Sequence, residues 1–354
     1  MTLVKRPSFV WAPGSLVLTV WMMCGCASSG GGGGTTTSGA CVTGCATTTT
    51  GAVVTTLMTL VNPEGPTSLA ADNKGSLYIG DNAWAVHKLV LATSVMTTVA
   101  GDGTYGYTGD GGFATNAELS NVYGVAVDTA GNLYIGDRAN RVVRRVSASG
   151  YIYTYVGTGA CANNGDGGLA NAASVCTPEQ VIVDPTGQYL YVADLSYGQV
   201  RRVNLTTGVI TTFAGGGTSL ADGVAATTEL LTPDSLAVDS AGNLYIGDHN
   251  HAKIRKVTLS TGLISTLTGN GTDADSGDGG QASQATITSP LALAVSPTGS
   301  VYFADNTAVR RIDATTGVIT TVTGVSCELG MAFDSTGTLY TSDAHSVYKV
   351  TGIS

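Results

Sequence analysis

Six aspartates recur down the chain, each closing a run that holds an aromatic residue: Asp81, Asp137, Asp194, Asp248, Asp305 and Asp343. A ring of carboxylates could ligate a cation. A residue that every copy of a motif carries reads instead as the cap of its own turn, or as the partner of the Arg on the strand that follows. A denser set is Asp273, Asp275 and Asp278, three carboxylates within six residues. It is the best calcium candidate in the sequence, because Ca²⁺ takes several oxygen ligands from flexible loops. The set lacks the spacing and terminal Glu of an EF-hand. Glycine permits tight turns and Asp stabilises them, so a structural role without metal is favoured and no cofactor is expected. These glycines do not form a phosphate cradle, because no strand-to-helix context surrounds them.

The histidines are His87, His249, His251 and His345. No three of them recur at equivalent positions, which argues against zinc catalysis. There is no Gly-x-Ser-x-Gly nucleophile, and no Cys is placed as a reactive thiol. The residues that follow the repeated aspartates differ from copy to copy: Asn82, Trp84, Arg138, Tyr197, His249 and His345. Variation within a repeat marks them as a ligand face, since an exposed Trp or Tyr often anchors a partner.

The elements that must position these residues are short strands. In Gly124–Gly157, Val125–Asp128 is an apolar run, Thr129–Asn132 a turn, and Leu133–Ile135 a β-branched and aromatic run. The Asp-x-x-Gly turn recurs at Asp72–Gly75, Asp184–Gly187, Asp239–Gly242 and Asp334–Gly337, with Ser296–Gly299 lacking the Asp. Its carboxylate can accept backbone N–H groups two residues on, and Gly supplies the positive φ of a tight hairpin. A third strand carries basic pairs between apolar residues, as in Val143–Val146 and Val200–Val203. A fourth is rich in Thr and β-branched residues, as in Gly208–Phe213. Six such four-stranded antiparallel units cannot bury their faces singly; stacked radially they form an all-β, six-bladed β-propeller.

The pattern G-V-A-V-D-x-x-G-N-L-Y-I-x-D, continued to R-K/R-V, resembles the NHL repeat of six-bladed propellers. Gly124–Val146 fits it closely and Leu236–Val257 nearly so, and the resemblance covers Val53 to Ser354. It implies the fold and leaves function open, because such propellers serve as scaffolds, sensors and enzymes. The Gly-Asp-Gly-Gly loops at Gly109–Gly112, Gly165–Gly168 and Gly277–Gly280 resemble those of bacterial members, and the start of the chain resembles the lipobox of bacterial lipoproteins.

Three segments are expected. Residues 1–26 read as a signal peptide: Lys5 and Arg6 precede an apolar stretch too short to span a membrane, and Cys26 stands where a lipobox carries its lipidated residue. Residues 27–50 form a Gly/Ser/Thr-rich tether. Residues 51–354 form the propeller, in which Ala52–Leu57 completes the last blade and closes the ring, because Val347–Ile353 stops where a fourth strand should begin. Cys161 and Cys176 bracket one loop and are expected to form a disulfide, in keeping with an oxidising compartment. Either Cys41 pairs with Cys45, or one of them reaches Cys327.

With net charge −9 and pI near 4.7, the chain lacks the basic face that nucleic acid requires, and adjacent Arg residues on a strand point to opposite faces. Four junctions between blades are long: Gly101–Ser120, Gly157–Thr177, Gly215–Thr232 and Gly269–Ser289. Strand parity places them on the same end of the ring as the repeated aspartates. The resulting expectation is a non-catalytic, extracytoplasmic, lipid-anchored monomer. It would bind a protein or glycan through an acidic rim of loops that the fold does not need. The alternatives are a metal-assisted lyase or lactonase near the central channel and a purely structural envelope protein.

Overall fold

The computed structural model describes residues 52–60, 65–306 and 308–353. The expected signal, Cys26, Cys41, Cys45 and tether lie outside the described residues. In chain order, β1 is Val53–Thr59. Blade 1 holds β2 to β5, at Pro66–Ala71, Ser76–Asp81, Val86–Val90 and Val95–Ala100. Blade 2 holds β6 to β9, at Val122–Val127, Leu133–Asp137, Val142–Val146 and Ile152–Val156. Blade 3 holds β10 to β13, at Pro178–Val183, Tyr189–Asp194, Gln199–Asn204 and Ile210–Gly215. The short β14, Val224–Ala225, precedes blade 4, which holds β15 to β18 at Pro233–Val238, Leu244–Asp248, Lys253–Thr258 and Leu263–Thr268. Blade 5 holds β19 to β22, at Ala292–Val295, Val301–Ala304, Val309–Ile312 and Ile319–Thr321. Blade 6 holds β23 to β25, at Met331–Phe333, Leu339–Ser342 and Ser346–Thr351.

Six antiparallel sheets result, and the sheet order β1-β25-β24-β23 shows the N-terminal strand completing the last blade. Val53 pairs with Thr351 and Thr59 with Ser346. The turn chemistry follows the sequence. Asp72 accepts the N–H groups of Lys74 and Ser76, and Gly75 sits at φ 91°. No helix among the described residues is long and apolar enough to cross a membrane.

The core is a ring of interfaces between neighbouring blades rather than a single centre. Between blades 1 and 2, for example, Tyr78, Val86 and Ala100 meet Val122, Val125, Leu133 and Ile135. Burying each such aliphatic side chain contributes about 1.5–3 kcal/mol. The long junctions belong to this core. Ala114, Ala117 and Leu119 complete the first interface, Ala170, Ala173 and Val175 the second, and Ala282, Ala285 and Ile287 the fourth. Each carries a one-turn 3₁₀ segment, beginning at Ala114, Ala170, Ala226 and Ala282.

This corrects the expectation of a dispensable rim. Each long junction runs as a strap along the outer edge of the blade that follows. Gly111 donates to the Ile152 carbonyl and Ile152 donates to that of Gly112; Gly167, Ile210 and Gly168 repeat this, as do Gly279, Ile319 and Gly280. In blade 4, β14 pairs with β18. The straps' apolar and backbone groups are used to join blades, so removing them would open the core.

Candidate functional site

The strap carboxylates are committed. Arg144, Arg201, Arg255 and Arg310, on the third strands, are among the largest fully buried side chains. Each reaches an aspartate of its strap: Asp110 at 2.6 Å from Arg144, Asp222 at 3.1 Å from Arg255 and Asp278 at 2.6 Å from Arg310, with Asp166 on Arg201. The other carboxylate oxygen of Asp110, Asp166 and Asp278 accepts the N–H of Thr154, Thr212 and Thr321 on the outer strand. Of the calcium candidates, Asp275 also lies 2.8 Å from Arg310, so a guanidinium holds the charge between Asp275 and Asp278, while Asp273 pairs with Ile287 through its backbone. Among the described residues no group of three His, Cys, Asp or Glu side chains is placed to hold a metal.

The repeated aspartates are likewise used locally. Asp137 accepts the Ser120 N–H and the Asn140 side chain, and its Oδ2 lies 3.7 Å from Arg144. Burial drives its carboxyl up to about 7, against the pull of those partners. Asp81 accepts the Ala85 N–H and contacts His87; Asp248 contacts His251 at 2.7 Å. Asp194, Asp305 and Asp343 accept backbone N–H groups from Thr177, Ala308 and His345.

The candidate ligand residues fall into groups. Asn82, Trp84 and His345 share a cavity of about 470 Å³ with Glu328 and Leu329, where blade 6 meets blade 1. Trp84 also packs edge-on against Tyr105, ring centres 5.6 Å apart. Tyr197 lies apart, its hydroxyl 4.0 Å from Cys161 Sγ. Cys161 is bonded to Cys176, with Cα atoms 4.3 Å apart. Cys327 is buried and unbridged among the described residues, and burial pushes its thiol up to about 12.

Arg138 and His249 join a larger site. A cavity of about 530 Å³ opens at the channel mouth, on the end of the ring where the straps begin. Its wall includes one residue from the same repeat position of each blade: Thr67, Tyr123, Glu179, Asp234, Leu291 and Leu329. In the first four blades this residue follows the one paired with the repeated aspartate, as in Val122 with Asp137 and Pro178 with Asp194. One side is polar. Arg138 Nε lies 2.6 Å from Glu179 Oε2, and its guanidinium stands 4.6 Å from the centre of the Tyr123 ring. His249 Nδ1 lies 3.3 Å from Asp234 Oδ2. The other side is apolar, with Leu291 and Leu329.

Glu179 is 6 % exposed, and its Oε2 makes no hydrogen bond, because Arg138 Nε is close but out of line. Burial raises its carboxyl to about 7; Arg138 opposes the rise and Asp234 adds to it. Burial also raises Asp234, while His249 and Arg138 hold it down. A carboxyl poised near neutrality can exchange a proton or accept hydrogen bonds from a ligand. The sequence reading missed Glu179, Asp234 and Tyr123. Their signal was one column of the repeat, Thr, Tyr, Glu, Asp, Leu and Leu, which changes chemical class two residues before a position that stays apolar in every blade (Leu69, Val125, Val181, Leu236, Leu293, Met331).

A family model described as the Teneurin NHL domain matches residues 268–350. Teneurin-1 of Mus musculus is 30% identical over 275 residues, which is 67% of this chain and 10% of that protein. The chain therefore spans about a tenth of that relative's length. Among solved structures, a gluconolactonase from Xanthomonas campestris superposes with a TM-score of 0.57 at 15% identity, covering 84% of this chain and 89% of that one. The catalytically inactive virginiamycin B lyase from Staphylococcus aureus superposes with a TM-score of 0.51 at 16% identity, covering 85% and 99%. At these identities the likeness is one of fold. Repeat motif, family match and blade topology agree: the chain is an NHL-repeat β-propeller of six blades.

Proposed function

We propose that this propeller is a non-catalytic interaction module that takes a protein or glycan ligand at its channel mouth. The observation that carries the reading is the ring formed by Thr67, Tyr123, Glu179, Asp234, Leu291 and Leu329. A scaffold repeated in every blade changes identity at this position, where the side chains converge on a cavity. A wall that is acidic and aromatic on one side and leucine-lined on the other suits a ligand with a hydrogen-bonding edge and an apolar edge. The reading includes the export and lipid anchoring at Cys26 expected from the sequence, and with them a monomer tethered in the cell envelope.

Capture from envelope extract tests it. Wild-type chain should retain a partner that Leu329→Arg and Glu179→Gln lose, while Lys74→Ala, at the opposite end of the ring, keeps it. Equal capture by all four would refute the assignment. Labelling with a lipid precursor, comparing wild type with Cys26→Ala, tests the anchor.

One observation favours a second reading, an enzyme acting at the same cavity: Glu179 titrates near neutrality within a charged cluster. The lactonase and lyase fold likenesses are in keeping with it. Turnover of a lactone that is lost in Glu179→Gln, with stoichiometric metal in the purified protein, would replace binding by catalysis.

A further inference from the structure

Among the described residues, four blades carry a strap on their outer edge and two adjacent blades do not. In blade 2 the strap satisfies a fixed set of groups on the outer strand. Ala114 donates to Gly150, Gly111 donates to Ile152, Ile152 donates to Gly112, and Asp110 receives the Thr154 N–H. Blades 3 and 5 repeat all of these contacts. Blade 4 keeps the pairing, through β14, and its Asp222 receives the Thr266 hydroxyl at 2.9 Å. Blades 1 and 6 are preceded by short junctions. Among the described residues nothing pairs with the outer edges of β5 and β1, which end their sheets.

Blade 1 retains the features that a strap engages. Met96 pairs with Leu89 as Ile152 pairs with Val146, and Thr98 pairs with His87 as Thr154 pairs with Arg144. The outward N–H and C=O of Met96 and the N–H of Thr98 are thus the counterparts of the groups that straps satisfy elsewhere. Val95 and Met96 are exposed at 53% and 39%, on an edge strand that carries no charged residue. At the arginine position stands His87, whose Nε2 lies 2.8 Å from Asp81 and whose Nδ1 lies 3.2 Å from Thr98 Oγ1. In blade 6 that position is Tyr348, whose hydroxyl already donates to Asp343.

We propose that the outer edge of β5 is a docking site for an extended Asp-Gly-Gly-apolar segment of a partner protein, which adds to blade 1 as the resident straps add to blades 2 to 5. Strand addition of this kind draws affinity from backbone hydrogen bonds and specificity from alternate side chains. The glycines let the segment approach the edge closely, its apolar residue covers Val95 and Met96, and its carboxylate meets Thr98 and His87. The site lies on the outer wall, separate from the channel mouth, so neither assignment depends on the other.

The test uses the full chain and a synthetic peptide with the sequence of residues 163–172, itself a strap. Saturable binding should shift the Met96 and Thr98 amide signals. The peptide N-methylated at the glycine matching Gly167, which leaves the protein untouched, should bind at least about tenfold more weakly, as loss of a backbone donor requires. The Asp166→Asn peptide should also weaken. The proposal falls if there is no saturable binding, if the N-methylated peptide binds equally, or if the shifts fall on β9, β13 or β1. It also falls if β5 instead pairs with β5 of a second copy.

Discussion

Arg138 of blade 2 reaches over the boundary with blade 3 to Glu179, its Nε 2.6 Å from Oε2. The contact joins a residue from a turn to one on an inner strand, and it sets how the cavity responds to pH. Burial has raised the Glu179 carboxyl to about 7, above its ordinary 4.5, and Arg138 limits the rise. A carboxyl raised on folding stabilises the fold at acid pH. That contribution is complete below its unfolded pKa and is lost as pH rises through the folded value. Removing the Arg138 charge (Arg138→Gln) should therefore move the Glu179 midpoint further up, and Asp234→Asn should move it down. Carboxyl NMR titration of labelled Glu179 reads both. A midpoint that ignores both changes would show that the charges do not act on it.

The strap clamp predicts a large cost at Arg255. Its guanidinium lies 2.9 Å from Glu229, 3.1 Å from Asp222 and 4.0 Å from Asp248, and Glu229 and Asp248 are fully buried. Arg255→Ala leaves two carboxylates in the core without their cation. Breaking a buried pair in this way costs about 3–5 kcal/mol. Denaturant unfolding should show a loss of that order, and a loss under about 1 kcal/mol would mean that the arginine is not the clamp.

Acid should loosen the straps. Burial favours the neutral forms of Asp166 and Asp278, but the outer-strand threonines and the arginines outweigh it and hold both carboxyls below their usual range. A depressed carboxyl stabilises the fold above its unfolded pKa, and the stabilisation is lost as pH falls through the folded value. Melting temperature should thus fall as pH drops below about 4. In the Asp166→Asn, Asp278→Asn double variant the dependence should be flatter. An unchanged slope would place the acid sensitivity elsewhere.

The disulfide closes the strap between blades 2 and 3. Cys161 and Cys176 are separated by 15 residues, a loop for which chain entropy gives about 3 kcal/mol. Replacing both by Ser should lower unfolding free energy by about that amount and leave the blades formed, as far-UV circular dichroism would show.

Blade count, turn chemistry and ring closure were legible in the sequence because each rests on short-range pattern: strand alternation, Asp-x-x-Gly turns and a lone outer strand at the start. The roles of Asp110, Asp166, Asp222 and Asp278 were not. Each lies more than thirty residues from its arginine, and that pairing exists only once the strap lies along the outer strand. Glu179 and Asp234 look like ordinary strand-start residues until the ring brings the first strands of neighbouring blades together. Arg138 and His249 were identified because they follow the repeated aspartates, where variation between blades was easy to see.

The central claim is that ligand recognition sits at the channel mouth and that the straps are framework. It is tested most directly by side-by-side capture from envelope extract with Leu329→Arg and Asp166→Asn, one variant at the mouth and one in a strap. The account predicts that Leu329→Arg loses the partner and Asp166→Asn keeps it. Loss with Asp166→Asn and retention with Leu329→Arg would contradict it.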